Sequence, residues 1–199
     1  MRPVSAAVLR AARPRFLSLT LACVLVGIGA AVQAHAPVSA AACLLVLAGA
    51  LLAHASVNLL NEYGDFRSGL DFRTVRTPFS GGSGSLVALP EAAAAARNAG
   101  LAALAASAAI GLYFVAVRGM GLLPIGLAGV LLVAAYTPFV TRHPLLCLLA
   151  PGLGVGPLMV MGTAYALGGH YSWTAVTASL PPLFLGSELL LEAGALLLR

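Results

Sequence analysis

The sequence predicts an all-α protein, a polytopic transmembrane helical bundle of about six spans. Three observations predict it. The 199-residue chain is 60% hydrophobic and 9% charged, with a mean hydropathy of +0.99, whereas about a quarter of the residues of a soluble domain are charged. Six apolar runs approach the roughly 20 residues that a helix needs to cross the hydrocarbon layer. The runs are also uninterrupted, where the strands of a membrane barrel would be shorter and would alternate apolar with polar.

The first two runs are Phe16 to Val32 and Val38 to Leu60. Basic residues precede the first, which ends near Ala34-His35-Ala36, the layout of a cleavable signal peptide. Pro37 disfavours cleavage there, and the later runs alternate in topology only if the first is retained, so it reads as an uncleaved span. Ala99 to Val117, Met120 to Val140, Leu145 to Leu167 and Trp173 to Leu191 complete the set. The break from Glu62 to Arg97 reads as a loop. Its portion from Thr77 to Gly84 cannot sustain a helix, and Glu91 to Arg97 begins the next helix behind Pro90. Pro124, Pro138, Pro144, Pro151 and Pro157 punctuate the fourth and fifth runs, and Pro181 and Pro182 the sixth. Kinked or broken helices are expected there, of the kind that survives in a membrane where it lines a cavity. Small residues from Gly152 to Gly156 permit close helix packing.

All eleven basic residues are arginines, and the net charge is +5. Arg2, Arg10, Arg13, Arg15, Arg67, Arg73, Arg76, Arg97, Arg142 and Arg199 fall on one side of the alternating topology, and only Arg118 on the other. This bias predicts an integral membrane protein with a cytoplasmic N-terminus and a cytoplasmic loop at 62–97. Membrane topology accounts for the charge, and no nucleic-acid partner is expected. Cys23, Cys43 and Cys147 lie inside apolar runs without disulfide or zinc spacing and read as inert thiols. His35, His143 and His170 sit at span ends and make no metal site.

The stretch from Asn58 to Gly84 holds three of the six acids and three of the eleven arginines among hydrophobic segments. Ionisable groups so placed mark a functional site. Asn58, Asn61 and Asp65 are three and four residues apart, so a helix puts them on one face, and His54 extends the stripe by another turn. Asp71 follows beyond Gly69, on a loop that can fold back. Helix capping by Asp65 and Asp71, paired with Arg67 and Arg73, would explain a surface loop. It does not explain the stripe inside the span, where each polar group costs on the order of 1 kcal/mol or more unless satisfied. His54 reads first as a helix-packing hydrogen bond. Asn61, Asp65 and Asp71 are hard oxygen donors of the kind that holds Mg2+ against a phosphate, with Arg67, Arg73 and Arg76 available for the remaining phosphate charge.

The run NEYGDFRSGLD from Asn61 to Asp71 resembles the first aspartate-rich motif of the UbiA superfamily of intramembrane prenyltransferases. The glycine-containing gap between Asp65 and Asp71 is similar to the branch acting on 1,4-dihydroxy-2-naphthoate in menaquinone biosynthesis. The resemblance continues through Arg76 to Gly84, through Tyr136-Thr137-Pro138, and through Gly152 to Thr163. It implies a helical bundle around a central cavity, open to the cytoplasmic face and laterally to lipid. Mg2+ held by Asn61, Asp65 and Asp71 would bind a polyprenyl diphosphate and assist its departure, leaving an allylic cation for an electron-rich aromatic acceptor. Asn58, Arg76, Tyr136 and Arg142 are the expected substrate-binding residues, with helix packing as the alternative role for Tyr136.

Two departures stand out. Glu62 occupies a position where the family usually has Asp. The family fold has nine helices and a second aspartate-rich motif; Ser179 to Leu191 resembles the approach to it, but Glu192 to Arg199 contains no aspartate. The chain is therefore expected to be a C-terminally truncated single domain over 1–199, with Glu188 and Glu192 as poor substitutes. The alternatives are a catalytically inactive homologue that binds isoprenoid lipid or a membrane partner, and a small transporter, which lacks the support of an inverted repeat.

Overall fold

The structure, a computed structural model, describes residues 3–74 and 82–197, with side chains through Gly186. Arg76 and the expected loop from Thr77 to Gly81 lie outside the described residues. Among the described residues every regular element is helical.

A short helix, α1 (Pro3–Ala11), leads through a tight turn into α2 (Leu17–Gln33). The next helix, α3 (Ala40–Ser68), begins where the Ser39 hydroxyl accepts from the Ala42 amide and ends at Gly69. Gly69 has φ +79°, the left-handed conformation that glycine takes without a Cβ penalty at a helix terminus. The helix therefore runs through residues 62–68, where the fall in hydropathy predicted a loop. Glu62 there finds partners on two other segments, so polarity alone does not end it.

A 3-10 turn, Leu70–Phe72, follows. Beyond the undescribed segment come the helical turn α4 (Ser85–Ala88) and the turn Pro90–Ala92, which opens α5 (Ala93–Arg118). Pro90 sits where an amide N–H would have no helical partner. Next are α6 (Leu123–Tyr136), α7 (Pro144–Leu153), a π-helical segment Gly154–Met161 and α8 (Gly162–Gly168). The last three form one rod, and α9 (Trp173–Leu197) follows it.

The segments Ala40–Ser68, Pro90–Arg118 and Pro144–Gly168 are long and apolar enough to cross a membrane. Leu17–Gln33 and Met120–Tyr136 are shorter apolar helices, near the lower limit of about 17 residues for a span. Large apolar side chains face outward, among them Leu25, Leu44, Leu131 and Leu145. Such a surface is compatible with lipid, not with water, and the protein is an integral membrane protein.

The prolines act differently in two rods. Pro157 lies within the π segment; it lacks an N–H and its ring crowds the preceding turn, and the wider winding accommodates both. Pro181 and Pro182, expected to interrupt the sixth run, lie inside an unbroken α9. Just before them the hydroxyls of Thr177 and Ser179 donate to carbonyls of the preceding turn, a common compensation around membrane prolines.

Small residues set the closest approaches, as the Gly152–Gly156 run predicted. A Cβ on Gly156 would lie 2.7 Å from the Ser179 carbonyl oxygen of α9, and one on Gly27 of α2 would lie 2.7 Å from the Val160 carbonyl oxygen. Helices α3 and α5 are tied by Ser56 Oγ donating to the Gly100 carbonyl at 2.8 Å and by Ser107 Oγ donating to the Gly49 carbonyl at 2.9 Å.

Candidate functional site

The polar stripe predicted on α3 faces an open-sided chamber of about 530 Å3 lined by α3, α5, α6 and the rod from α7 to α8. His54, Asn58 and Asn61 line it, as does Tyr136 from the end of α6. Most of the remaining wall is apolar, including Val46, Ala50, Ile110, Phe114, Val133 and Leu158. A volume of this size suits a small-molecule site, where a few placed polar groups orient an otherwise apolar ligand.

Asp65 continues the stripe one turn beyond Asn61 and is half-buried. Asp71 is folded back on the turn after Gly69 and is buried, with 4% of its surface exposed. A Cβ on Gly82 would fall 2.8 Å from Asp71 Oδ1 and 3.3 Å from Glu62 Oε2, so the two carboxylates converge on one glycine. Asp65, Asp71 and Glu62 are within electrostatic reach of one another. The chain thus brings three acids within reach of one another, beyond the end of the stripe that lines the chamber.

Glu62 is fully buried and has its own partners. Arg13 Nη2 donates to its Oε2 at 3.1 Å, and the Ser83 amide donates to the same oxygen at 2.8 Å. The Ser83 hydroxyl donates to Oε1 and in turn accepts from the Ser85 amide at 3.1 Å. One carboxylate therefore joins the segment after α1, the end of α3 and the chain that leads into α4. Arg13 has φ +51°, a conformation costing roughly 1–2 kcal/mol for a residue with a Cβ. Strain of this kind persists where the surroundings over-determine it. Arg13 also lines the chamber and is close enough to act electrostatically on Asp65 and His54.

Asn58 Nδ2 donates to the Ala12 carbonyl at 3.0 Å, and Asn61 Nδ2 donates to Thr137 Oγ1 at 3.4 Å. Both leave an amide oxygen for a ligand. His54 makes the expected inter-helix bond, with Nδ1 2.6 Å from Thr20 Oγ1 of α2. Arg67, Arg73 and Arg142 are exposed, and Arg142 lies outside the chamber wall. Arg13 and Glu62 were not singled out from the sequence as site residues. Arg13 read as one topology arginine among ten, and no local pattern ties it to an acid 49 positions away.

Among the described residues no three His, Cys, Asp or Glu side chains form a metal-holding group. The donor chemistry nevertheless fits Mg2+ of the phosphate-bound kind. Such an ion takes one or two carboxylates and completes its octahedron with phosphate oxygens and water, and Asp65 and Asp71, within electrostatic reach of each other, are hard donors, as is the amide oxygen of Asn61 on the chamber wall.

Fold and site together define a class: an intramembrane helical bundle around a mostly apolar chamber of about 530 Å3 whose polar stripe leads to Asp65. The model of the UbiA prenyltransferase family matches residues 20–193. The chain belongs to that family and is a membrane prenyltransferase. Searches of curated proteins and of solved structures gave no match.

Proposed function

We propose that the protein transfers a polyprenyl group from its diphosphate to 1,4-dihydroxy-2-naphthoate in menaquinone biosynthesis. The observation that carries this reading is the continuous stripe His54, Asn58, Asn61 and Asp65, which runs from the wall of an apolar chamber to a carboxylate with Asp71 within electrostatic reach. An apolar chain with a diphosphate head matches that gradient.

In this reading Asp65, Asp71 and the Asn61 amide oxygen hold Mg2+. The ion supplies Lewis-acid stabilisation of the departing diphosphate. Arg13, inside the mouth, offsets the negative charge gathered there, with Arg76 as a further contact for the phosphates. Asn58 and Tyr136 contact the substrate where the chamber begins, and Arg142 meets an approaching anion at the surface. The chamber wall keeps water from the allylic carbon as its bond to oxygen breaks and the diphosphate leaves with the electron pair. The acceptor ring carbon then bonds to that carbon and loses its carboxyl group as carbon dioxide. The arginine bias supports a cytoplasmic N-terminus and mouth, in a bacterial inner membrane.

Asp65→Ala and Asp71→Ala should each reduce Mg2+-dependent transfer at least a hundredfold, measured with purified protein, polyprenyl diphosphate and the naphthoate. Unchanged turnover in both variants would remove these residues from the site. Saturable diphosphate binding by the wild type without product would favour the non-catalytic alternative.

A further inference from the structure

His54 stands three helical turns along α3 from Asp65, about 16 Å by helix rise. It lines the chamber, whereas Thr20 lies behind it, fully buried and outside the wall. The Thr20 bond occupies Nδ1 and sets the imidazole plane, so Nε2 is the ring nitrogen available to the chamber. The neighbouring wall is apolar, formed by Ala50, Ala53 and Val57. Asn58 Nδ2, Asn61 Nδ2 and Ser107 Oγ are engaged with Ala12, Thr137 and Gly49; Arg13, which acts on His54 electrostatically, donates through Nη2 to Glu62, and Tyr136 and Thr163 are further polar groups of the wall.

A single oriented ring nitrogen in an apolar wall recognises one polar substituent on a flat apolar ligand. A polyprenyl chain has no hydrogen-bonding atom to offer it, while a hydroxylated aromatic ring does. We propose that His54 Nε2 hydrogen-bonds a ring hydroxyl of the aromatic acceptor, and that Thr20 is its positioning residue. The proposal rests on the prenyl-transfer reading and adds the contact that selects the acceptor. The proposed tautomer has Nδ1–H donating to Thr20 Oγ1 and a bare Nε2 accepting from the ring hydroxyl, a bond that a methyl ether cannot make. No proton need be transferred.

The test measures KM for the naphthoate, for each of its two monomethyl ethers and for the polyprenyl diphosphate, using the purified full chain with Mg2+. In the wild type one ether should bind about tenfold more weakly than the parent acceptor. His54→Ala should raise KM for the parent acceptor about tenfold, leave KM for the diphosphate within twofold, and add no penalty for that ether. Thr20→Val should give a smaller rise, again confined to the acceptor. Equal losses for parent and ether, or parallel rises for acceptor and diphosphate, would assign His54 to packing alone and overturn the proposal. If His54→Ala does not fold, the same comparison in Thr20→Val decides. A wild type that prenylates neither the naphthoate nor an ether overturns the naphthoate reading on which the proposal rests, before any variant is made.

Discussion

Gly82 combines two constraints in one residue. Its φ of +73° lies in the left-handed region, and an added Cβ would meet Asp71 Oδ1 at 2.8 Å. Gly82→Ala would therefore cost roughly 1–2 kcal/mol in backbone strain and would displace a carboxylate assigned to the metal. Magnesium-dependent transfer should fall at least tenfold, with a higher Mg2+ concentration needed for half-maximal rate, both measured by magnesium titration. Ordinary magnesium dependence in this variant would show that Asp71 does not need its observed position. The stripe of Asn58, Asn61 and Asp65 was legible in the sequence because spacings of three and four residues define a helix face. The importance of Glu62 was not, since its burial depends on Arg13 and Ser83 reaching it from two other segments. Removing Arg13 leaves the Glu62 charge in low dielectric; because Arg13 is itself partly exposed, the loss should fall below the about 3–5 kcal/mol typical of a fully buried pair.

Between elements, close approach is governed by glycines that meet backbone. At Gly27 an added Cβ would lie 2.6 Å from Thr163 Cβ and 2.7 Å from the Val160 carbonyl oxygen. A carbonyl within a helix cannot swing aside as a side-chain tip does, so Gly27→Ala must push α2 from the π segment. A loss of about 1–3 kcal/mol is expected, seen as a lower melting temperature in detergent. Gly29 meets nothing within 4 Å, and Gly29→Ala on the same helix should leave the melting temperature unchanged. Hydropathy located the helices, but not all of their boundaries. It ended the second span at Leu60, whereas α3 continues to Ser68, because hydropathy does not register polar groups satisfied by tertiary partners. The proline pattern foretold an irregular fifth rod without specifying a π segment. The same pattern did not break α9, where nearby hydroxyls bond the preceding turn.

For the molecule as a whole, the chamber's volume depends on side chains that are missing. Gly111, Gly126 and Gly129 line it, and an added Cβ at each would meet nothing within 4 Å. These glycines are not required for packing at that point; they leave space. On the prenyl-transfer reading, Gly129→Leu should shift preference toward shorter diphosphates. The ratio of kcat/KM for geranyl diphosphate to that for a longer homologue should rise about tenfold, in the range a few methylenes contribute in an apolar pocket. An unchanged ratio at normal melting temperature would place the chain elsewhere.

The sequence by itself determined an all-α membrane protein and one polar helix face ending in carboxylates. Both are written in hydropathy and in spacings of three and four residues, which the helix repeat converts directly into geometry. Tertiary structure alone decided that this face lines an apolar chamber, that Asp71 returns beside Glu62 and Gly82, that Arg13 closes onto Glu62, and that Thr20 orients His54. Those contacts join segments 34 to 49 residues apart in the case of the two side-chain pairs. They form because polar groups drawn into a low-dielectric interior must find partners wherever the packed helices bring them.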